Sequence, residues 1–347
     1  MAVKAWARMA RLQARWMVRQ VVRAGKQTGK RSTGGTKAPR KSRSAVQKSS
    51  GHWSAAIALA PGLARRYWLF KPSGLSSKQS YPLLVMLHGC GQNASDFATS
   101  TRMNRLAATY GFMVLYPEQD RLSNAQACWN WFDTRHGRAS NEANSIMAAL
   151  DQACAMHAID PERVAIVGLS AGASMAALVA LRFPHRFVAA VMHSGVEPTL
   201  ASSAATAVGA MRGRYRMGTP AHYAEAQVLP ALLVLQGSAD AVVHRVNGMR
   251  AAQAWAARTH AQPQLSRVVY RGNRHPFTTM DWLVAKRRQI TLCEFNGLGH
   301  AWSGGAASKA YSDPKGPDAS RMVWAFVKRQ IGYGPPGAYR NREMERR

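Results

Sequence analysis

Ser170 lies in Gly168-Leu169-Ser170-Ala171-Gly172, a serine with a glycine two residues away on either side. A serine hydroxyl is a weak nucleophile until a base takes its proton, so chemistry here requires a histidine and a carboxylate that orients it. The residues before it, Arg163–Leu169 (RVAIVGL), read as a buried strand, and Ala171–Arg182 reads as a helix of small residues. A strand that turns sharply into a helix exposes the serine at the apex. Such a turn tolerates only small neighbours, and Gly168, Gly172 and Ala173 meet that demand. The helix N-terminus behind Ser170 favours negative charge developing on a substrate. The competing reading is a Gly/Ser-rich turn without chemistry, or one that binds phosphate. The strand before and the helix after weigh against it.

Three further segments carry what this serine needs. His88-Gly89-Cys90-Gly91-Gln92 closes the strongly apolar stretch Tyr81–Gly89 (YPLLVMLHG). In α/β-hydrolases an H-G-x-G turn at this place donates one backbone N–H to the oxyanion, and the residue after the nucleophile donates the other. The expected donors here are Cys90 and Ala171. The triad order of that fold is Ser, then Asp or Glu, then His. Leu232–Gln236 is a buried strand that runs through Gly237 into a small-residue loop holding Asp240, whereas Asp281, Asp313 and Asp318 follow no strand so clearly. Gly297-Leu298-Gly299-His300 follows the last strand, and its glycines let the loop fold over the serine. His193 and His244, also near strand ends, are the runners-up for the base.

The elements that must hold these residues alternate along the chain. Apolar runs at Tyr67–Lys71, Tyr81–Gly89, Phe112–Pro117, Arg163–Leu169, Phe187–His193 and Ala231–Gln236 read as strands. Helical spacing covers about Ala94–Tyr110, Glu142–His157, Ala171–Arg182, Arg245–Thr259 and Asp318–Ile331, and a hairpin is expected over Trp282–Phe295. Continuous apolar strands between helices indicate a mostly parallel central sheet with helices on both faces.

The chain has 347 residues and a formal charge of +30, from 47 Lys/Arg against 17 Asp/Glu. Residues 1–50 hold 14 of the cations and no acid. Residues 1–24 read as a basic amphipathic helix, with Lys4, Arg8, Arg11, Arg15 and Arg19 on one side. Residues 25–52 read as a flexible basic linker, 53–331 as the catalytic body and 332–347 as a basic tail. The N-terminal charge and apolar face fit docking on a lipid or other anionic surface, nonspecific polyanion binding, or a solvated arm. No motif for specific nucleic-acid recognition accompanies it. No run of about 18 apolar residues suggests a transmembrane helix. The early cations interrupt any secretory h-region, so the cytoplasm is the expected location. Cys90, Cys128, Cys154 and Cys293 form no C-x-x-C pair, which argues against a zinc site. One or two disulfides or four buried thiols all fit that count. Cys90 and Cys128, if both line the cleft, would lie close enough for a disulfide that stiffens the oxyanion turn.

Seven blocks together resemble the poly(3-hydroxybutyrate) depolymerase family of esterases, which includes feruloyl-esterase-like members. They are LHGCGQNASDF (87–97), FMVLYPEQ (112–119), CWNWF (128–132), GLSAGASMA (168–176), QGSADAVV (236–243), GLGHAWSGG (297–305) and DPKGPDASRMVWAF (313–326). The resemblance implies an α/β-hydrolase fold and hydrolysis of short-chain hydroxyalkanoate polyesters or their oligomers. It implies Ser170, Asp240 and His300 as the triad, the Cys90 turn as oxyanion donor, and neither metal nor organic cofactor. It implies a polyester granule as one surface that residues 1–50 would contact and as a place within the cytoplasm, and the family's secreted members make an extracellular location the alternative. A feruloyl or acetyl carbohydrate esterase on the same triad is the nearest rival, and a granule- or polyanion-binding protein with an idle hydrolase body is the next. His88, Gln92, Trp129, Trp131 and Trp302 are the candidates for the substrate cleft, the tryptophans as an apolar wall against an acyl chain.

Overall fold

The computed structural model describes residues 50–214 and 227–332. The expectations for the basic N-terminal helix, for nearly all of the linker and for residues 333–347 lie outside them.

Strand β1 (Gly51–Ala60) pairs in antiparallel register with β2 (Leu63–Pro72). The strands β3 (Tyr81–Leu87), β4 (Met113–Pro117), β5 (Ile159–Leu169), β6 (Ala189–His193) and β7 (Ala231–Gly237) follow. Two short segments, β8 (Gln262–Pro263) and β9 (Arg267–Val269), precede the hairpin of β10 (Phe277–Val284) and β11 (Arg287–Phe295). The sheet order is β1-β2-β4-β3-β5-β6-β7-β11-β10-β8, with β9 also on β10. From β4 through β11 the neighbours are parallel, and the two edges are antiparallel.

Helices cover both faces because the central strands carry apolar, buried residues on both sides along most of their length. Leu83, Val85 and Leu87 face one core with Ile166, Met192 and Val234. Helices α3 (Arg138–Met156), α4 (Ala171–Arg182) and α6 (Val246–Thr259) close that core through Ile146, Met175 and Trp255. The alternate residues Leu84, Met86, Val167 and Leu235 face the other core, under α1 (Ala94–Thr101), α2 (Met103–Tyr110) and α7 (Ala319–Ile331). This period-2 alternation between two buried faces is what a parallel sheet demands. The short α5 (Ala204–Met211) lies in the Ala-rich stretch before β7.

Two expectations need correction. The helix expected over 94–110 is two helices, because Arg102 takes a left-handed φ of 55° and its N–H closes α1 on the Ala98 carbonyl. Thr99 and Thr101 donate their hydroxyls to the Ser95 and Phe97 carbonyls, a competition that weakens a helix end. The body also begins earlier than Trp53, since β1 starts at Gly51. Its outer positions are exposed and rich in Ala, so its pattern is faint. No helix among the described residues is long and apolar enough to cross a membrane.

Candidate active site

Ser170 stands between β5 and α4 with φ 58° and ψ −122°. A non-glycine residue held there is strained and must be braced by its surroundings. The Ser170 N–H donates to the His193 carbonyl at 2.9 Å, and the Ala173 N–H donates to the Ser170 carbonyl at 2.9 Å. The start of α4 also presses against the end of β3. A Cβ on Gly172 would stand 2.3 Å from the Leu87 oxygen and 2.5 Å from that of His88, so only glycine fits.

The three residues expected to form the triad are in contact. His300 Nε2 lies 3.0 Å from Ser170 Oγ, and His300 Nδ1 lies 2.8 Å from Asp240 Oδ2. A carboxylate only accepts, so the imidazole proton sits on Nδ1 and the Nε2 lone pair receives the Ser170 hydroxyl. The loop carrying His300 packs closely on the end of β7, where a Cβ on Gly237 would meet the Leu298 oxygen at 2.2 Å. Asp240 is saturated with donors. Oδ1 accepts from the Val242 and Val243 N–H groups at 2.9 and 2.8 Å, and Oδ2 accepts from Gln236 Nε2 at 3.3 Å besides His300. Burial alone would push this carboxyl up. The His300 charge and the hydrogen bonds outweigh it and hold Asp240 below its ordinary value. His244 is exposed, Asp281 accepts from Thr291, Asp313 pairs with His275 and Asp318 caps α7, so none of them competes for the triad.

The oxyanion turn is braced from several sides. Gly89 lies against the serine, with its Cβ direction 3.6 Å from Ser170 Cβ. Gln92 Oε1 accepts the Gly89 N–H at 3.0 Å, and the Gly91 N–H donates to the Gln126 carbonyl at 2.8 Å. A disulfide joins Cys90 to Cys128, while Cys154 and Cys293 are free thiols. His88 Nδ1 donates to the Gly89 carbonyl at 2.8 Å, and its Nε2 accepts the Gln119 N–H at 3.1 Å. In a trans peptide the carbonyl and the following N–H point in opposite directions. Fixing the Gly89 carbonyl therefore fixes the direction of the Cys90 N–H. Burial pushes the His88 imidazole down to about 4, so it stays neutral in this role.

The cleft assignments divide. His88, Trp129 and Trp302 are fully buried, and Trp131 nearly so. They pack in the core, and the polar atoms of His88, Trp129 and Trp302 are committed inside the protein. Trp129 Nε1 donates to the His88 carbonyl, and Trp302 Nε1 donates to Ser320 Oγ. Gln92 acts on the turn through Gly89. Two groups escaped the sequence reading. One is Gln236, a polar residue inside an apolar strand, whose amide reaches Asp240. The other is Glu142, whose Oε1 accepts from Gln119 Nε2 and Asn130 Nδ2 and whose Oε2 accepts the Asn130 N–H. Glu142 thereby ties α3 to the 128–132 segment that carries the disulfide. Tyr311 stands edge-on to His300, with ring centroids 6.4 Å apart.

Comparison with known proteins adds kinship to this geometry. The family model described as "Esterase PHB depolymerase" matches residues 65–260. Poly(3-hydroxyalkanoate) depolymerase C of Paucimonas lemoignei is 38% identical over 141 residues, covering 40% of this chain and 33% of that protein. Feruloyl esterase B of Neurospora crassa is 32% identical over 145 residues, covering 41% and 48%. Acetylxylan esterase A of Emericella nidulans is 27% identical over 205 residues, covering 55% and 66%. The matches thus span between a third and two thirds of those relatives' lengths. Among solved structures, acetyl xylan esterase from Aspergillus awamori superposes with a TM-score of 0.62 at 20% identity, over 72% of this chain and 94% of that one. A dienelactone hydrolase-like phosphotriesterase from metagenomic libraries gives 0.51 at 15% identity, over 82% and 98%. At such identities the likeness is one of fold, the α/β-hydrolase fold.

Proposed function

The chain belongs to the Esterase PHB depolymerase family, and we propose that it is a serine carboxylic ester hydrolase acting on short-chain poly(3-hydroxyalkanoate) or its oligomers. The observation that carries the reading is the unbroken contact from Ser170 Oγ through His300 to Asp240 at the carboxyl ends of the parallel strands.

Ser170 Oγ attacks the ester carbonyl carbon while its proton passes to His300 Nε2. The negative oxygen of the tetrahedral intermediate faces the N–H groups of Cys90 and Ala171. Collapse breaks the bond to the alcohol oxygen, which takes the proton from His300 and leaves an acyl group on Ser170. Water repeats the sequence, with His300 again as base, and releases the acid. Asp240 keeps the imidazole in the tautomer that can accept the serine proton and stabilises the imidazolium that forms.

A second reading, a feruloyl or acetyl ester of plant polysaccharide as substrate, draws support from the feruloyl and acetylxylan esterases among the relatives. The test compares wild type with Ser170→Ala on 3-hydroxybutyrate oligomers, a p-nitrophenyl acyl series and feruloyl esters. Oligomer cleavage that falls roughly 10³-fold or more in the variant supports the first reading. Faster feruloyl turnover selects the second. An unimpaired variant removes Ser170 from the mechanism.

A further inference from the structure

His193 ends β6 between the strand that delivers the nucleophile and the strand that delivers the acid, in register with Leu169 on one side and Leu235 on the other. Its two halves hold different parts of the site. The backbone carbonyl accepts the Ser170 N–H at 2.9 Å. The ring, fully buried, accepts the Ser303 N–H on Nε2 at 3.2 Å and stacks on Trp302 with centroids 5.1 Å apart. Ser303 is three residues past His300. A backbone N–H only donates, so Nε2 carries the lone pair and the proton sits on Nδ1, facing Ser194 Oγ at 3.1 Å. A buried polar ring without a purpose would be costly, and an apolar residue could stack on Trp302 as well.

We propose, resting on the triad reading above, that His193 is a positioning residue that sets the distance between nucleophile and base: its carbonyl fixes Ser170, and its ring Nε2 fixes the segment that carries His300. One residue thereby serves as the common reference for two groups that lie 130 residues apart in the chain. Burial, with the nearby His300 charge adding to it, pushes the His193 imidazole down to about 3. It therefore remains a neutral acceptor when His300 becomes charged during the reaction.

Three variants of the full chain separate the acceptor from the ring. Gln carries its side-chain oxygen as many bonds from Cβ as Nε2, so His193→Gln can still accept the Ser303 N–H. His193→Asn reaches only the Nδ1 position, and His193→Phe keeps a ring without an acceptor. The readouts are kcat and KM on p-nitrophenyl butyrate and the rate at which a p-nitrophenyl phosphonate modifies Ser170. Both rates are taken per titrated site, with mass spectrometry locating the adduct. In His193→Phe and His193→Asn, kcat and the phosphonylation rate should fall together by about 10- to 100-fold, as a displacement under 1 Å allows, with KM within about twofold. His193→Gln should recover both to within about threefold of wild type on the same argument. If Phe fails to fold, the comparison of Asn with Gln decides. Equal losses in Gln and Asn, or full rates in all variants, would overturn the proposal. A wild-type adduct anywhere but Ser170 would instead refute the triad reading.

Discussion

Asp240→Asn removes one charge and leaves the shape of the site intact, and the structure fixes which way the new amide turns. The native carboxylate faces two backbone donors on Oδ1 and two side-chain donors on Oδ2. If the Asn oxygen serves Val242 and Val243, its NH2 points at His300 Nδ1. The imidazole must then accept there, its proton moves to Nε2, and no lone pair remains for the Ser170 proton. Gln236 loses a contact of 3.3 Å but keeps the Val243 carbonyl at 3.1 Å. The opposite rotamer preserves the native tautomer but sets an NH2 against two backbone N–H groups. At about 1–3 kcal/mol for each unsatisfied buried donor, it is disfavoured by about 2–6 kcal/mol. The competent fraction then falls by roughly thirtyfold to 10⁴-fold, and the lost stabilisation of the imidazolium adds to that. The expected result is a kcat loss of about 10²- to 10⁴-fold on p-nitrophenyl butyrate. KM should change little, because the Asp240 side chain is fully buried. A kcat loss under about tenfold would refute the reasoning, as would a loss confined to KM.

The same carboxylate sets a pH dependence of stability. Its folded value lies below the ordinary one of about 3.9, so its contribution is complete above that pH and disappears as pH falls through the folded value. In urea melts the gap between wild type and Asp240→Asn should therefore hold at neutral pH and close with acidification, and a constant gap would contradict the assignment. Cys128→Ser opens a disulfide that spans 38 residues. Loop entropy puts the loss near 4 kcal/mol. The urea midpoint should fall accordingly, and kcat should fall too because the oxyanion turn loosens. Gly172→Ala drives a Cβ onto two β3 carbonyls and should cost at least about 1–3 kcal/mol. An unchanged Tm and kcat would show that the elbow is not so tightly packed. Glu142→Gln sets an NH2 against a donor that now meets an oxygen, and should lose about 1–3 kcal/mol in chemical denaturation.

Much of the site was legible in contiguous stretches of sequence. The apolar runs and the glycines at the turns are local patterns, and the strand–turn–helix around Ser170 needs only about twenty consecutive residues to be read; Asp240 and His300 then follow from the triad order of the resembled fold. Helix α4 matches its expected bounds for that reason. What the pattern left open depends on distance through space. Cys90 and Cys128 could be named as partners only conditionally, since the count of cysteines says nothing of which loops meet. His88, Trp129 and Trp302 were expected at the cleft because they flank the motifs. Whether a flanking ring faces solvent or core is decided by segments that pack on it from elsewhere, such as Gln119 on His88 and Ser320 on Trp302. His193 shows the same limit. Its sequence position suggested a rival base, but the strand order sets it between β5 and β7, with its ring fully buried and Nε2 turned to Ser303. Local periodicity determined which elements form, and the turn motifs between them named the candidate residues for the chemistry. Tertiary packing decided which polar groups meet at the site and which are buried as supports, because that depends on desolvation and on partners far away in the chain.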